Sequence, residues 1–271
     1  LRLQILDAAL ALARAANYES LGTFEFLVDG ATGRFAFIEA NARLQVEHTV
    51  TEAVLGIDLV QAQLSIAAGA TLAELGLLQT DIGHPRGFAL QLRVNTETLD
   101  ASGATRPSTG ELLAFLPPSG PGVRVDTHAY PGWRVGSAFD SLLAKVIVHS
   151  SSARFADLVP KAQRTLREFQ IGGVATNLGF LEALVAHPDF AAQHGVNTRF
   201  IERHLAELLA SAAEPRARLH APAAATTAPA AVAGPMLAPP GTVAVTAPLA
   251  GSVVSLAVSP GQEVRAGATV A

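Results

Sequence analysis

Ile38–Glu52, IEANARLQVEHTVTE, sets Glu39, Asn41, Arg43, Gln45 and Glu47 at every second position. In an extended chain alternate side chains share a face, about 6–7 Å apart per step of two. Such a strand carries two acids, two amides and one guanidinium on one side, with Ala42, Leu44 and Val46 packing beneath. Each polar type has a chemistry. The planar fork of Arg43 suits a small oxyanion such as bicarbonate or phosphate. Gln45 can orient that anion, Glu47 can act as a general base beside it, and Asn41 can hold a metal or a phosphate oxygen. By pattern alone a sheet strand with a solvated polar face fits as well.

Just upstream, TFEFLVD, GATG and RFAFIEA spell strand, turn, strand, with two glycines between aromatic-rich runs. A turn centred near Thr32 sets Glu25 opposite or nearly opposite Glu39, and alternation sets Glu39 on the face of Phe35 and Phe37. Facing carboxylates repel. They are tolerated by sharing a proton, by pairing with a base or by binding a cation. Two acids without cysteine suit a hard ion, Mg²⁺ or Mn²⁺, that keeps waters and meets substrate phosphates.

The rest of the chain sets the frame. Its 271 residues, 49% hydrophobic, suffice for one large domain or one domain plus pieces of others. A net charge of −4 with 15% charged residues gives no sign of a general nucleic-acid binder. With no cysteine there is no disulfide, thiolate metal site or thiol nucleophile, which fits a cytoplasmic location. The chain opens at Leu1 without a signal-peptide pattern, and no apolar run reaches the ~20 residues of a membrane helix. It stops inside an alternating pattern and is expected to be a fragment cut at both ends.

Helices are expected over residues 3–17, 51–68 (capped by Gly69), 152–169, 176–187 and 198–210. GFALQLRVNTE and FDSLLAKVIVHS are expected strands, and the Gly/Pro/Ser-rich 101–138 is expected to hold short strands and turns. After Ser211 the sequence turns to APAAATTAPAAVAGPMLAPP, the composition of an extended linker. From Thr242 alternation returns with SPG and AGA turns, the opening of a small all-β unit.

GTFEFLVD through FIEANARLQVEHTVTEAVLGIDLV closely resembles the catalytic end of the ATP-grasp domain of biotin carboxylases, which start acetyl-, propionyl-, methylcrotonyl-CoA and pyruvate carboxylases. The motif E-x-N-x-R-x-Q-V-E-H is long and specific. The likeness continues through LQLRVNTE, PSTGELLAF, FDSLLAKVIV and IGGVATNLGFLEALVAHPDF, over about residues 1–206. It implies an α+β chain: the C-terminal part of an ATP-grasp domain over 1–78, a biotin carboxylase C-terminal domain over 79–210, a disordered linker over 211–241, and the first strands of an all-β biotinyl/lipoyl-like carrier over 242–271. It also implies site roles. Glu25 and Glu39, helped by Asn41, would bind the Mg²⁺ or Mn²⁺ that accompanies ATP. Arg43, Gln45, the Val46 backbone and Glu47 would hold bicarbonate, with Glu47 as the base that deprotonates it. Arg93 would steady carboxyphosphate and the biotin enolate. Asp140 matches a position near the biotin site and the dimer interface. The DGATGR turn is a little longer than in some relatives.

The same resemblance implies an ATP-dependent ligase that makes carboxyphosphate from bicarbonate and carboxylates biotin, the first half-reaction of an acyl-CoA carboxylase. Its partners would be a carrier domain in cis, a carboxyltransferase and a second copy of itself, with no nucleic acid and no membrane. In the family biotin sits on a lysine of an A-M-K-M hairpin, which does not occur here. Lys145 and Lys161 are therefore not biotin sites, and the biotinyl lysine would lie beyond Ala271. The N-terminal nucleotide-binding part and the Gly-rich lid are not in the sequence, so this stretch alone is not expected to turn over. Two other functions share part of these features: a different ATP-grasp ligase, such as a carbamoyl-phosphate synthase, and a catalytically dead scaffold that only carries biotin.

Overall fold

The computed structural model describes residues 1–213, 256–259, 261–265 and 267–270. The expected linker from 214 on, and the strands expected over 242–255, lie outside the described residues. Of the expected SPG and AGA turns, Gly261 and Gly267 are described and lie in turns, the Gln262 amide donating to the Ser259 carbonyl and the Ala268 amide to the Arg265 carbonyl, both at 3.0 Å.

In chain order the elements are α1 (Arg2–Ala15), β1 (Thr23–Val28), β2 (Phe35–Asn41), α2 (His48–Leu55), α3 (Leu59–Ala67), β3 (Phe88–Asn95), β4 (Glu97–Leu99), β5 (Thr105–Pro107), β6 (Gly110–Glu111), β7 (Ala114–Leu116), β8 (Val123–Thr127), β9 (Arg134–Val135) and β10 (Leu142–Ser150). After a 3₁₀ turn at Phe155–Asp157 come α4 (Val159–Glu168), β11 (Gln170–Gly172), α5 (Leu178–Ala186), α6 (Pro188–Ala191) and α7 (Phe200–Ala213). β3, β10 and β8 form a three-stranded sheet in that order; the other pairs are β1–β2, β11–β7, β4–β5 and β6–β9. The chain divides into two units. One holds Leu1–Leu92, Ser119–Val125 and Val146–Thr165; the other holds Arg93–Pro118, Asp126–Lys145 and Leu166–Ala271. Among the described residues no single helix is long and apolar enough to cross a membrane.

In the first unit the β1–β2 hairpin is closed by Asp29, whose carboxylate accepts from the Ala31 amide at 2.9 Å and the Thr32 hydroxyl at 2.6 Å. The Thr32 hydroxyl, with the Ala31 and Thr32 amides, holds this exposed carboxyl below its ordinary value. The turn thus gains stability at neutral pH that is lost as pH falls through the depressed folded value. The expected pairing of Glu25 with Glu39 is present. The next pair is Phe26 with Phe37, so Ile38 is an extra residue, a β-bulge.

The bulge overturns one expectation. Phe26 packs edge-on against Phe35 and Phe37, with centroids 5.8 and 5.7 Å away, and Phe24 lies 6.4 Å from Phe37. These four rings share one face. Glu39 lies with Glu25 on the other, because Ile38 breaks the alternation between Phe37 and Glu39.

Two further expectations fail near the motif. The extended segment does not run to Glu47: β2 stops at Asn41, a bend sits at Arg43, a turn at Val46–Glu47, and α2 begins at His48. The single helix over 51–68 is two helices. Gly56 ends α2 in the left-handed region at φ 71°, and Asp58 starts α3 by accepting from the Gln61 amide at 2.8 Å. Glu52 fastens the break. Its buried carboxylate accepts from the Leu59 amide at 2.9 Å and from the Arg124 guanidinium at 2.7 Å. Glu52→Ala removes the acceptor of the Leu59 amide and the carboxylate facing Arg124, and is expected to cost about 1–3 kcal/mol, read as a lower urea midpoint. Glu52→Gln keeps an acceptor for Leu59 and should lose less; equal midpoints for Ala and wild type would show that the carboxylate fastens nothing.

In the second unit α5 and α7 pack through Phe180, Ala183 and Leu208, flanked by Leu99, Leu184 and Leu205. Phe169, fully buried, meets Phe115 edge-on at 5.3 Å where β11 pairs with β7. β11 lies in the gap between the helices expected over 152–169 and 176–187, where no strand was expected. Gly173 after it has φ 96°, and a Cβ there would overlap the Glu111 carbonyl oxygen, so the second glycine is what lets β11 lie this close.

Candidate active site

On the polar face of the hairpin, Asn41 Nδ2 donates to Glu25 Oε1 and to Glu39 Oε1, each at 2.9 Å. Gln45 Nε2 donates to the same Glu25 oxygen at 2.9 Å. Two facing carboxylates are therefore held by two neutral amides rather than by a cationic side chain. Amide donors offset only part of the repulsion, and a hard cation would remove the rest. Gln45 Oε1 is buried and has no hydrogen-bond partner. Flipping the amide would set that oxygen against the Glu25 carboxylate, so the hydrogen-bond network fixes the orientation and leaves an open acceptor. Two carboxylates and a free amide oxygen are all oxygen donors. They fit Mg²⁺ or Mn²⁺ and do not fit a thiophilic metal.

The rest of the motif lies on the bend and turn after β2. Arg43 is exposed, and its Nη1 makes one long bond of 3.4 Å to the Leu44 carbonyl. Its fork is left to solvent, as an anion clamp requires. Glu47 is exposed at the N-cap position of α2. His48, the first helical residue, places Nδ1 2.8 Å from the Gln45 carbonyl and so helps fix the turn between Gln45 and Glu47. A cavity of about 450 Å³ opens between α1 and the hairpin, with Arg43, Gln45 and Glu47 on its wall and neither Glu25 nor Glu39. The motif thus presents a carboxylate pair on the hairpin face and an arginine–glutamate pair on the turn beyond. The bulge and the bend, not strand alternation, separate them.

Arg93 and Asp140 belong to the second unit. Arg93 is exposed on β3, where its carbonyl accepts from Asn177 Nδ2 at 3.1 Å. Asp140 is exposed, and its Oδ1 accepts from the Leu142 amide at 3.0 Å. Beside it a cavity of about 430 Å³ is walled by Thr96, Trp133, Phe139 and Ser141. Two polar residues of this region escaped the sequence reading, Glu97 and Asn177. A signal existed for Asn177, an Asn just before an apolar helix. Its side chain does not cap that helix, however, and binds β3 instead.

Among the described residues one group has metal-ligand geometry, His187, His204 and Glu207, with ligand atoms all within 4.8 Å. The Asp189 amide donates to His187 Nδ1 at 3.2 Å, which leaves the ring proton on Nε2. That nitrogen faces Glu207 Oε2 at 3.4 Å. The nitrogen aimed into the group is thus a donor, and the group is a histidine–glutamate contact rather than a cation site.

Residues 91–203 match the family model of the biotin carboxylase C-terminal domain, and residues 1–75 match that of the carbamoyl-phosphate synthase L chain, ATP binding domain. Biotin carboxylase 1 of Bacillus subtilis is 40% identical over 204 residues, 75% of this chain and 43% of that protein. Together the two matched segments resemble biotin carboxylase domains. Pyruvate carboxylase of Pichia angusta is 47% identical over 189 residues, 69% of this chain and 16% of that protein. A solved single-chain, multi-domain long-chain acyl-CoA carboxylase superposes with a TM-score of 0.72 at 45% identity, covering 80% of this chain and 22% of that one. The chain spans less than half the length of each of these relatives. The mixed helix–strand architecture described above is that of a biotin carboxylase ATP-grasp fragment.

Proposed function

We propose that this chain supplies the bicarbonate-activating end of an ATP-dependent biotin carboxylase. The observation that carries it is the convergence of Glu25, Glu39, Asn41 and Gln45 on one hairpin face, with Arg43 and Glu47 on the adjoining turn. A divalent cation held there would supply positive charge to the transferring phosphoryl oxygens. Glu25 and Glu39 would hold it, and Asn41 orients both carboxylates. Arg43 holds bicarbonate, and Glu47 takes its proton. The freed oxygen bonds to the γ-phosphorus of ATP as the bond to ADP breaks, giving carboxyphosphate and ADP. Arg93 steadies the anionic species on the way to carboxybiotin.

The acceptor we propose is an acyl-CoA. After a short linker the chain runs directly into TAPLAGSVVSLAVSPGQEV, which resembles the start of a carrier domain, with no large domain between. The likeness to the long-chain acyl-CoA carboxylase supports this. The whole enzyme would use a carrier in cis, a carboxyltransferase and a second copy of the chain.

The test follows ADP release by the full-length protein with Mg²⁺, ATP and bicarbonate, with and without free biotin. Biotin should stimulate release, and Arg93→Ala should abolish the stimulation. Release indifferent to biotin would point to another ATP-grasp ligase, and no release to a scaffold. The metal site has its own test. Asn41→Ala leaves both carboxylates but removes their shared donor, and it is expected to raise the half-saturating Mg²⁺ concentration by about 10–100-fold. An unchanged Mg²⁺ requirement would place the metal elsewhere.

A further inference from the structure

In the second unit, hydrogen bonds run from the strand that carries Arg93 to the turn that carries Asp140. Asn177 Oδ1 accepts from the Asn95 amide at 2.9 Å, its Nδ2 donates to the Arg93 carbonyl at 3.1 Å, and its own amide donates to the Asn95 carbonyl at 3.1 Å. One side chain and its amide thus satisfy the end of β3 as a neighbouring strand would. Asn95 Nδ2 then donates to Glu97 Oε1 at 3.0 Å, and the Ser141 hydroxyl donates to Glu97 Oε2 at 2.8 Å. The Thr96 amide and hydroxyl both donate to the Ser141 carbonyl, at 2.8 and 3.2 Å.

We infer that Glu97 is a positioning residue for biotin carboxylation. Its carboxylate is a two-ended spacer that sets the Asp140–Ser141 turn against the strand bearing Arg93. The inference rests on the function proposed above and adds a residue to it. Three features favour it over an incidental network. Both oxygens of the half-buried carboxylate are used, one toward each segment, and bonds to an ionised acceptor are the stronger kind. Asn95 Oδ1 is buried without a partner, so the amide keeps its Nδ2 on Glu97 at the expense of its own oxygen. Thr96 and Ser141, which flank the spacer, also wall the cavity beside Asp140. A shift of the turn would therefore reshape that cavity and move Asp140 relative to β3. It would leave Glu25, Glu39, Arg43 and Glu47, which belong to the first unit, untouched.

The experiment measures ADP release by the full-length protein as free biotin is varied, together with the slow release that needs bicarbonate but no biotin. Glu97→Ala should raise the KM for biotin, or lower the biotin-stimulated kcat, by about 10–100-fold, the size expected of an ångström-scale misplacement. Biotin-independent release and the KM for ATP should hold. Glu97→Gln should recover most of the loss, since its oxygen still accepts from Asn95 and its NH₂ can donate to the Ser141 hydroxyl. Ser141→Ala, which removes one hydrogen bond and no charge, should shift the same parameter in the same direction without changing Tm. Stimulation in Glu97→Ala equal to wild type would overturn the inference. So would an equal fall of both activities with a lower Tm, which marks a merely structural role. Wild-type release that ignores biotin would remove the proposed function itself, and this inference with it.

Discussion

Glu47→Gln is expected to lower biotin-stimulated ADP release by about 10²–10⁴-fold, the range over which a positioned base contributes. The substitution keeps the size and shape of the side chain and removes only its capacity to take a proton. Glu47 is exposed at the N-cap position of α2, and its neighbour His48 is tied to the Gln45 carbonyl. Gln at an exposed cap position should therefore leave the fold intact, with Tm within a degree or so of wild type. ATP and Mg²⁺ binding should persist as well, because the hairpin carboxylates belong to a different segment. Glu47→Asp draws the carboxylate back by one methylene and should fall between the two. A Gln variant that turns over normally would remove Glu47 as the base and leave bicarbonate chemistry on that turn to Arg43, Gln45 and the Val46 backbone.

Phe169→Ala is expected to cost about 3–5 kcal/mol. The ring is fully buried between the end of α4 and the start of β11 and meets Phe115 edge-on at 5.3 Å. Truncation loses the burial and leaves a cavity, because β7 and β11 are hydrogen-bonded to each other and cannot collapse into it. Against a total stability of ordinarily about 5–15 kcal/mol, a loss of that size brings the unit close to unfolding. Phe169→Leu fills most of the space and should cost less than half as much. The check is the urea midpoint at constant m. A loss in Phe169→Ala below about 1 kcal/mol would mean that the β7–β11 contact carries little of the core.

Much of the site was legible because its residues sit close together in sequence. The Gly-containing turn fixes the hairpin, and the hairpin fixes Glu25 opposite Glu39. What strict alternation hides is the bulge. Nothing in FAFIEAN says that Ile38 drops out of register, since an apolar residue at that point serves either face equally well. The end of the strand at Asn41 was hidden for a similar reason. Arg43, Gln45 and Glu47 keep a period of two through a bend and a turn, and a pattern cannot distinguish that from a strand. The break between α2 and α3 could have been read. Gly56 and Asp58 are a C-terminal and an N-terminal helix signal two residues apart, and they were passed over for the apolar period on either side. Glu97 and Asn177 were out of reach. Their partners Ser141, Arg93 and Asn95 are 44, 84 and 82 positions away, and only the folded chain brings them together.

The bulge at Ile38 also makes the hairpin unequal in its tolerance of length change. Extra residues between Gly30 and Arg34 would lengthen an exposed turn and leave both strands in frame. Loss of Ile38 would leave Phe37 and Glu39 adjacent and on opposite faces, as they already are, and would only straighten the ladder, whereas loss of Ala40 would make Asn41 the neighbour of Glu39 and swing it to the side of the four phenylalanine rings, away from both carboxylates. A single-codon deletion at Ala40 would keep every side chain of the carboxylate cluster in the sequence and still dismantle it in space. Between relatives, a gap in the turn or at Ile38 is therefore a neutral event, while a gap at Ala40 marks a hairpin whose carboxylates have lost the amide that bridges them.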